Sequence, residues 1–136
     1  MILYNVFMKL SRLKGRKTSE RILREGDVWK GKTLVIRWIS GQPRLRQGSS
    51  GQAKNQRVNT MAQGLFVGAL ISAKTEKSAV KRNRMRRRCK EALRREVKIK
   101  SKLPTMQLLL MPRRSSLACD FAEIEEDVRA FLSHVT

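Results

Sequence analysis

In residues 32–40, "KTLVIRWIS", apolar side chains alternate, with Leu34, Ile36 and Trp38 on one face and Val35, Arg37 and Ile39 on the other. That period of two predicts a strand. Residues 65–73, "LFVGALISA", are apolar almost throughout, as expected of an interior strand. Gly68 within that run predicts a bend or a close backbone approach. Residues 106–112, "MQLLLMP", read as a third strand. Three other stretches follow helical spacing. In the first, Thr18 is the predicted N-cap, Ile22 and Leu23 are the apolar positions, and Gly26 ends the helix. In the second, residues 79–96, Met85, Cys89 and Leu93 recur four apart. In the third, Phe121, Ile124, Val128, Phe131 and Leu132 form an apolar stripe behind Asp120 and Glu123, an Asp-x-x-Glu capping arrangement.

The segments between these elements are polar. Residues 41–64 are rich in Gly, Ser, Gln and Asn without a sustained period, and predict a long flexible loop. Its Arg44, Arg46, Lys54 and Arg57 are within reach of RNA, although solvation is the simpler fate for scattered charges. The length suits one domain over 1–136. Residues 1–10 read as a disordered or mis-assigned start, with Met8 an alternative initiator. "MILYNVF" is too short for the core of a signal peptide, and no apolar run approaches the length of a membrane span.

Charge changes the picture. Hydrophobic residues make up 40% and charged residues 31%, a globular balance, yet 31 Lys and Arg face only 11 Asp and Glu, a net charge of +20. Such a chain repels itself and attracts polyanions, of which nucleic acid is the leading candidate and an acidic membrane surface the competitor. Cys89 and Cys119 lack metal-ligand spacing and read as reduced, partly buried thiols of a cytoplasmic protein. His134 is the sole histidine and has no Ser or Cys partner in view. The acids Asp120, Glu123, Glu125, Glu126 and Asp127 suit the start of a helix better than a metal site. The sequence thus predicts no catalytic residue, no metal site and no obligate protein partner.

The basic residues are concentrated in "AVKRNRMRRRCKEALRRE", residues 79–96, which holds nine Arg and Lys. On a helix of 3.6 residues per turn, Asn83, Arg86, Arg87, Lys90 and Arg94 share a face, and Met85, Cys89, Ala92 and Leu93 share a neighbouring one. One side is therefore docked on protein. The other presents guanidinium forks matched to phosphate oxygens. Glu91 and Glu96 are placed to pair with Arg87 or Arg95, which leaves most of the charge free.

This stretch resembles the arginine-rich helix of the bacterial ribonuclease P protein family, in which an Ala-Val-x-Arg-Asn-Arg core precedes further basic residues and a Glu-Ala pair. Arg82, Asn83 and Arg84 match the core triplet, and Arg86 and Arg87 the pair after it. Gly68, Ser72 and Lys74 fit the strand and turn before the helix. The opening "RLKGRKTSERILREGDVWKGKTLVIRW" and the closing "MQLLLMP" and "ACDFAEIEEDVRAFL" are similar to the family's first and last elements. The resemblance implies an α/β (α+β) two-layer sandwich, with a mixed four-stranded sheet and a left-handed βαβ crossover carrying the basic helix. It implies binding to the ribonuclease P RNA subunit through Ser72, Lys74, Arg82, Asn83, Arg84, Arg86, Arg87, Lys90 and Arg94. It also implies a cleft for the 5′ leader of precursor tRNA, between the sheet and the first helix, assigned to Arg12, Lys14, Arg16, Ser19 and Arg37. Cleavage at the mature tRNA 5′ end would then be hydrolysis assisted by Mg2+ held mainly by the RNA.

This chain departs from the family pattern in several places. Aromatics usual near Ser19 and Leu23 are absent, and Arg37 stands where an aromatic often lines the cleft, so leader binding is expected to lean on charge. Stacking there would contribute about 1–3 kcal/mol per base. Glu76 and Lys77 occupy a turn that often holds Gly or Arg, and Arg88 replaces an apolar residue. The alternative reading is a basic ribosomal or other structural RNA-binding protein on the same scaffold.

Overall fold

Five strands, three helices and one 3-10 turn make up a computed structural model that describes residues 9–41, 64–100 and 103–135. Met8 and all but the two ends of the 41–64 loop lie outside the described residues. In chain order the elements are β1 (Lys9–Arg12), α1 (Arg16–Glu25), β2 (Asp27–Lys30), β3 (Leu34–Ser40), β4 (Gly64–Ala69), α2 (Ala79–Ile99), β5 (Met106–Pro112), the 3-10 turn Arg114–Leu117 and α3 (Phe121–Val135). The sheet runs β1-β4-β5-β3-β2. β4 is parallel to both β1 and β5, and β3 is antiparallel to both β5 and β2. The mixed α+β class stands, with five strands and not four. β1 and β2, the two edges, are the strands missing from the three that the sequence pattern shows. Each is only four residues long, too short to display a period.

β5 lies at the centre, and Met106 to Leu110 are buried without a break. A strand covered on both faces needs apolar residues in both parities, which explains the continuous run in its sequence. On one face Leu34, Ile36, Leu65, Val67, Met106, Leu108 and Leu110 meet Cys89, Leu93 and Val97 of α2 and Ile124, Val128, Phe131 and Leu132 of α3. Trp29 and Trp38 stand edge-on to Phe131, with ring centroids at 5.9 and 6.1 Å. β2 thus supplies one of the two indoles at the core margin. Asp127 of α3 accepts from both the backbone N–H (2.6 Å) and the hydroxyl (2.5 Å) of Thr33, so this acid pins α3 to the β2–β3 turn and does not merely offset the helix dipole.

α1 covers part of the opposite face. Its Ile22 packs with Leu13 and Leu109, flanked by Leu23, Ile39, Phe66 and Met111. A Cβ on Gly68 would stand 3.3 Å from Leu13 Cδ2, so the close approach is by the Leu13 side chain and not by backbone. α1 begins at Arg16, not after Thr18, because Gly15 at φ 95° turns the chain into the helix. That left-handed backbone is costly for any residue with a Cβ. β4 ends at Ala69, short of the expected Ala73, although Leu70 still donates to the Leu110 carbonyl at 2.9 Å. Among the described residues no helix is long and apolar enough to cross a membrane.

Candidate nucleic-acid interface

Ser78 starts α2 by accepting from the Lys81 N–H at 3.3 Å, and the helix continues to Ile99. Met85, Cys89, Ala92, Leu93 and Val97 are buried, so the apolar stripe is docked on the sheet as its spacing predicts. The basic residues divide into three groups according to what holds them.

The first group braces the fold. Arg82 donates to the carbonyls of Glu76 (2.7 Å) and Lys77 (2.9 Å), folding back over the turn that leads into α2. Arg88 donates to the carbonyls of Leu117 (2.7 Å) and Cys119. This guanidinium ties α2 to the 3-10 turn and the residues just before α3. Position 88 lies one turn from both Met85 and Ala92, and a cation beside such a buried stripe was the available signal for a backbone cap.

The second group is paired. Arg94 and Arg95 both donate to Glu91, at 2.9 and 3.0 Å, which holds the Glu91 carboxyl down to about 2. Arg95 also lies over the Phe121 ring, 4.9 Å from its centroid. Glu96, with a side chain only 4% exposed, receives two hydrogen bonds from Arg129 of α3, at 3.0 and 3.1 Å. Neither acid pairs with Arg87, and Glu96 looks across to another helix, which spacing along α2 could not reveal.

The third group is free. Arg84 and Arg87 are exposed and in no ion pair among the described residues. Arg86 donates to Asn83 Oδ1, so these two neighbours present one joined polar surface. Lys90 is half-buried, and desolvation first, then the charges of Arg12 and Arg86, push its ammonium below the usual lysine range. Before the helix, Ser72 and Thr75 close a turn through their hydroxyls, 3.2 Å apart, with Lys74 exposed between them.

The residues assigned to the leader cleft do not all gather in one place. Lys14 and Arg16 are exposed at the start of α1, Arg16 lies 3.3 Å from Glu20, and Ser19 is half-buried on α1. Arg12 instead lines a groove with Arg87, Lys90 and Arg94, on the α2 side of the sheet. Its parity with Leu10, which packs on the α2-side core, accounts for this placement. Arg37 lies on the α1 side of the sheet, but its guanidinium is held by protein. β3 is interior, and Arg37 Nη1 donates to the Leu23 carbonyl at 3.0 Å, capping the end of α1 from below. Phe66, half-buried on the α1 side, is an aromatic of that face hidden in the sequence within a run apolar in both parities.

Cys89 and Cys119 are free thiols, and burial pushes the Cys89 thiol up to about 12. No cluster of three or more His, Cys, Asp or Glu among the described residues could hold a metal ion. Glu91, Glu96 and Asp127 are all engaged with protein groups. These donors do not fit a resident divalent cation.

A family profile described as ribonuclease P matches residues 7–136. The chain belongs to the ribonuclease P protein family. It is 36% identical over 99 residues to the ribonuclease P protein component of Thermus thermophilus, covering 72% of this chain and 57% of that one. It is 34% identical over 110 residues to the component of Thermus scotoductus, covering 80% of this chain and 64% of that one. The chain thus spans less than two-thirds of the length of these ribonuclease P relatives. The fold matches the ribonuclease P protein of Thermotoga maritima with a TM-score of 0.66 at 17% identity, over 93% of this chain and 98% of that one. Family membership favours the ribonuclease P reading over the ribosomal alternative.

Proposed function

We propose that this chain is the protein subunit of a ribonuclease P ribonucleoprotein. In this reading α2 attaches the protein to the RNA subunit, and the α1 side of the sheet holds the 5′ leader of precursor tRNA. The free cation face of α2 carries the proposal. Arg84 and Arg87 lie exposed on a helix on which Arg82, Arg88, Arg94 and Arg95 are held by carbonyls or carboxylates. Unpaired guanidinium groups on one rigid helix face, in a chain of net charge +20, match a folded phosphate backbone.

The protein's part is positional. Its cations neutralise phosphates of the RNA subunit, and Lys14, Lys17 and Arg16 add charge where the leader would enter. In this reading the chemical step, hydrolysis of the phosphodiester at the mature 5′ end, uses Mg2+ held mainly by the RNA. Localisation follows the RNA partner, which makes the protein cytoplasmic.

Reconstitution with a bacterial ribonuclease P RNA and precursor tRNA tests the proposal. The expected result is a lower magnesium requirement for leader removal when the protein is present. A magnesium profile identical with and without protein, at concentrations where the protein is folded, refutes it.

A further inference from the structure

β1 and α2 flank an open groove of about 570 Å3 on the face of the sheet opposite α1. Its floor is apolar, formed by Leu10, Val67 and Leu93, and its rim is cationic, formed by Arg12, Arg87 and Lys90. The volume falls within the range of small-ligand sites, about 300–1,000 Å3. Glu91, the one acid of the lining, is neutralised by Arg94 and Arg95, so the field over the groove stays positive. Partial burial of Lys90 beside Arg12 and Arg86 leaves three cations close together without an anion among them.

The strand edge adds recognition groups. Among the described residues β1 is the last strand of the sheet, and the Leu13 N–H is donated to the Val67 carbonyl at 2.9 Å. Peptide groups alternate in direction along a strand, so Leu10 and Arg12 turn theirs to the open edge, away from β4. An occupant therefore meets an apolar floor, fixed backbone donors and acceptors at one side, and a cluster of cations above. A nucleobase offers flat apolar faces and a polar edge, and its 5′-phosphate supplies the missing anion.

We infer that the groove between β1 and α2 receives one unstacked nucleotide of the RNA bound by α2, with the base on Leu10, Val67 and Leu93 and the phosphate among Arg12, Arg87 and Lys90. This deepens the reading of α2 as the RNA-binding helix, and rests on it for the identity of the RNA. It gives α2 a base-reading element beside its phosphate contacts, which alone carry no sequence information.

The test has two arms. In the first, the full chain is titrated with each of the four nucleoside 5′-monophosphates, ribose 5-phosphate and inorganic phosphate, followed by NMR or calorimetry. At least one nucleotide should bind about tenfold or more tightly than ribose 5-phosphate. Leu10→Trp, which fills the floor, should remove that preference, and Lys90→Gln should weaken all the phosphates. Should Leu10→Trp not fold, Leu10→Ser must show the same loss of preference. Ribose 5-phosphate binding as tightly as every nucleotide overturns the inference.

In the second arm, base-specific chemical probing of a ribonuclease P RNA should show an unpaired base protected by the wild-type protein. Leu10→Trp should re-expose that base while backbone protection persists. If the RNA binds but no base protection depends on Leu10, the groove assignment fails and the functional reading stands. If the chain does not join the RNA at all, the functional reading fails, and the mononucleotide titration still decides the groove.

Discussion

Replacing Arg37 by Met should loosen α1 without touching α2. The side chain lies between β3 and α1, with Nη1 donating to the Leu23 carbonyl at 3.0 Å and Nε buried without a partner. A hydrogen bond from a charged group contributes about 1.5–3 kcal/mol. The buried, unpartnered Nε–H offsets part of that, and Met keeps the apolar stem, so the net loss should be about 1–2 kcal/mol. For a chain of this size that lowers Tm by roughly 3–10 °C. Hydrogen exchange locates the effect. The amides of Arg21 to Gly26 should exchange faster, while those of Met85 to Val97 keep their protection. With calcium replacing magnesium to slow cleavage, affinity of the reconstituted enzyme for precursor tRNA should fall in step with the loss of α1 order, and mature tRNA should be unaffected. Unchanged α1 exchange together with weaker precursor binding would refute the bracing role, because Arg37 would then be touching the leader itself.

Arg84→Gln and Arg87→Gln should each reduce the log–log salt dependence of RNA-subunit affinity by about 0.7–0.9 with Tm unchanged, whereas Arg82→Gln should lower Tm as well, because Arg82 also holds the turn before α2; equal Tm losses at all three sites would contradict the division. Arg88→Met should cost about 2 kcal/mol in denaturant unfolding, since the carbonyls of Leu117 and Cys119 lose their donor, and a loss within error of zero would show that water replaces it fully. The folded-state pKa of Cys89, about 12, lies above its ordinary 9.0, so its contribution is complete below pH 9 and is lost as pH rises towards 12. Cys89→Ala should therefore show a shallower fall of unfolding free energy over that window, and an unchanged slope would mean that Cys89 ionises as freely in the fold as in the unfolded chain.

Much of the architecture is legible in the sequence. The period of two around Arg37, the apolar run of β5 and the four-residue spacing of Met85, Cys89 and Leu93 each gave the right element, and the last also gave the buried face. Such patterns are readable because burial acts on every turn or every second residue, so several positions report the same fact. The short edge strands β1 and β2 offered no such repetition, and the sheet has five strands where four were expected.

For the candidate site, the sequence by itself determined the charge, its concentration on α2 and the docked stripe beside it. Which cations remain free was decided only by the tertiary structure. Arg82 and Arg84 are two positions apart in one motif, yet the first is held by two carbonyls and the second is exposed. Arg88 found its partners near residue 118, Glu96 found Arg129, and Arg37 found the end of α1. The groove joining Arg12 to Lys90 likewise exists only because β1 pairs with β4. A guanidinium reaches several ångströms and takes whatever carbonyl, carboxylate or phosphate the folded chain brings within that reach, so its partner is a property of the packing and not of its neighbours in the chain.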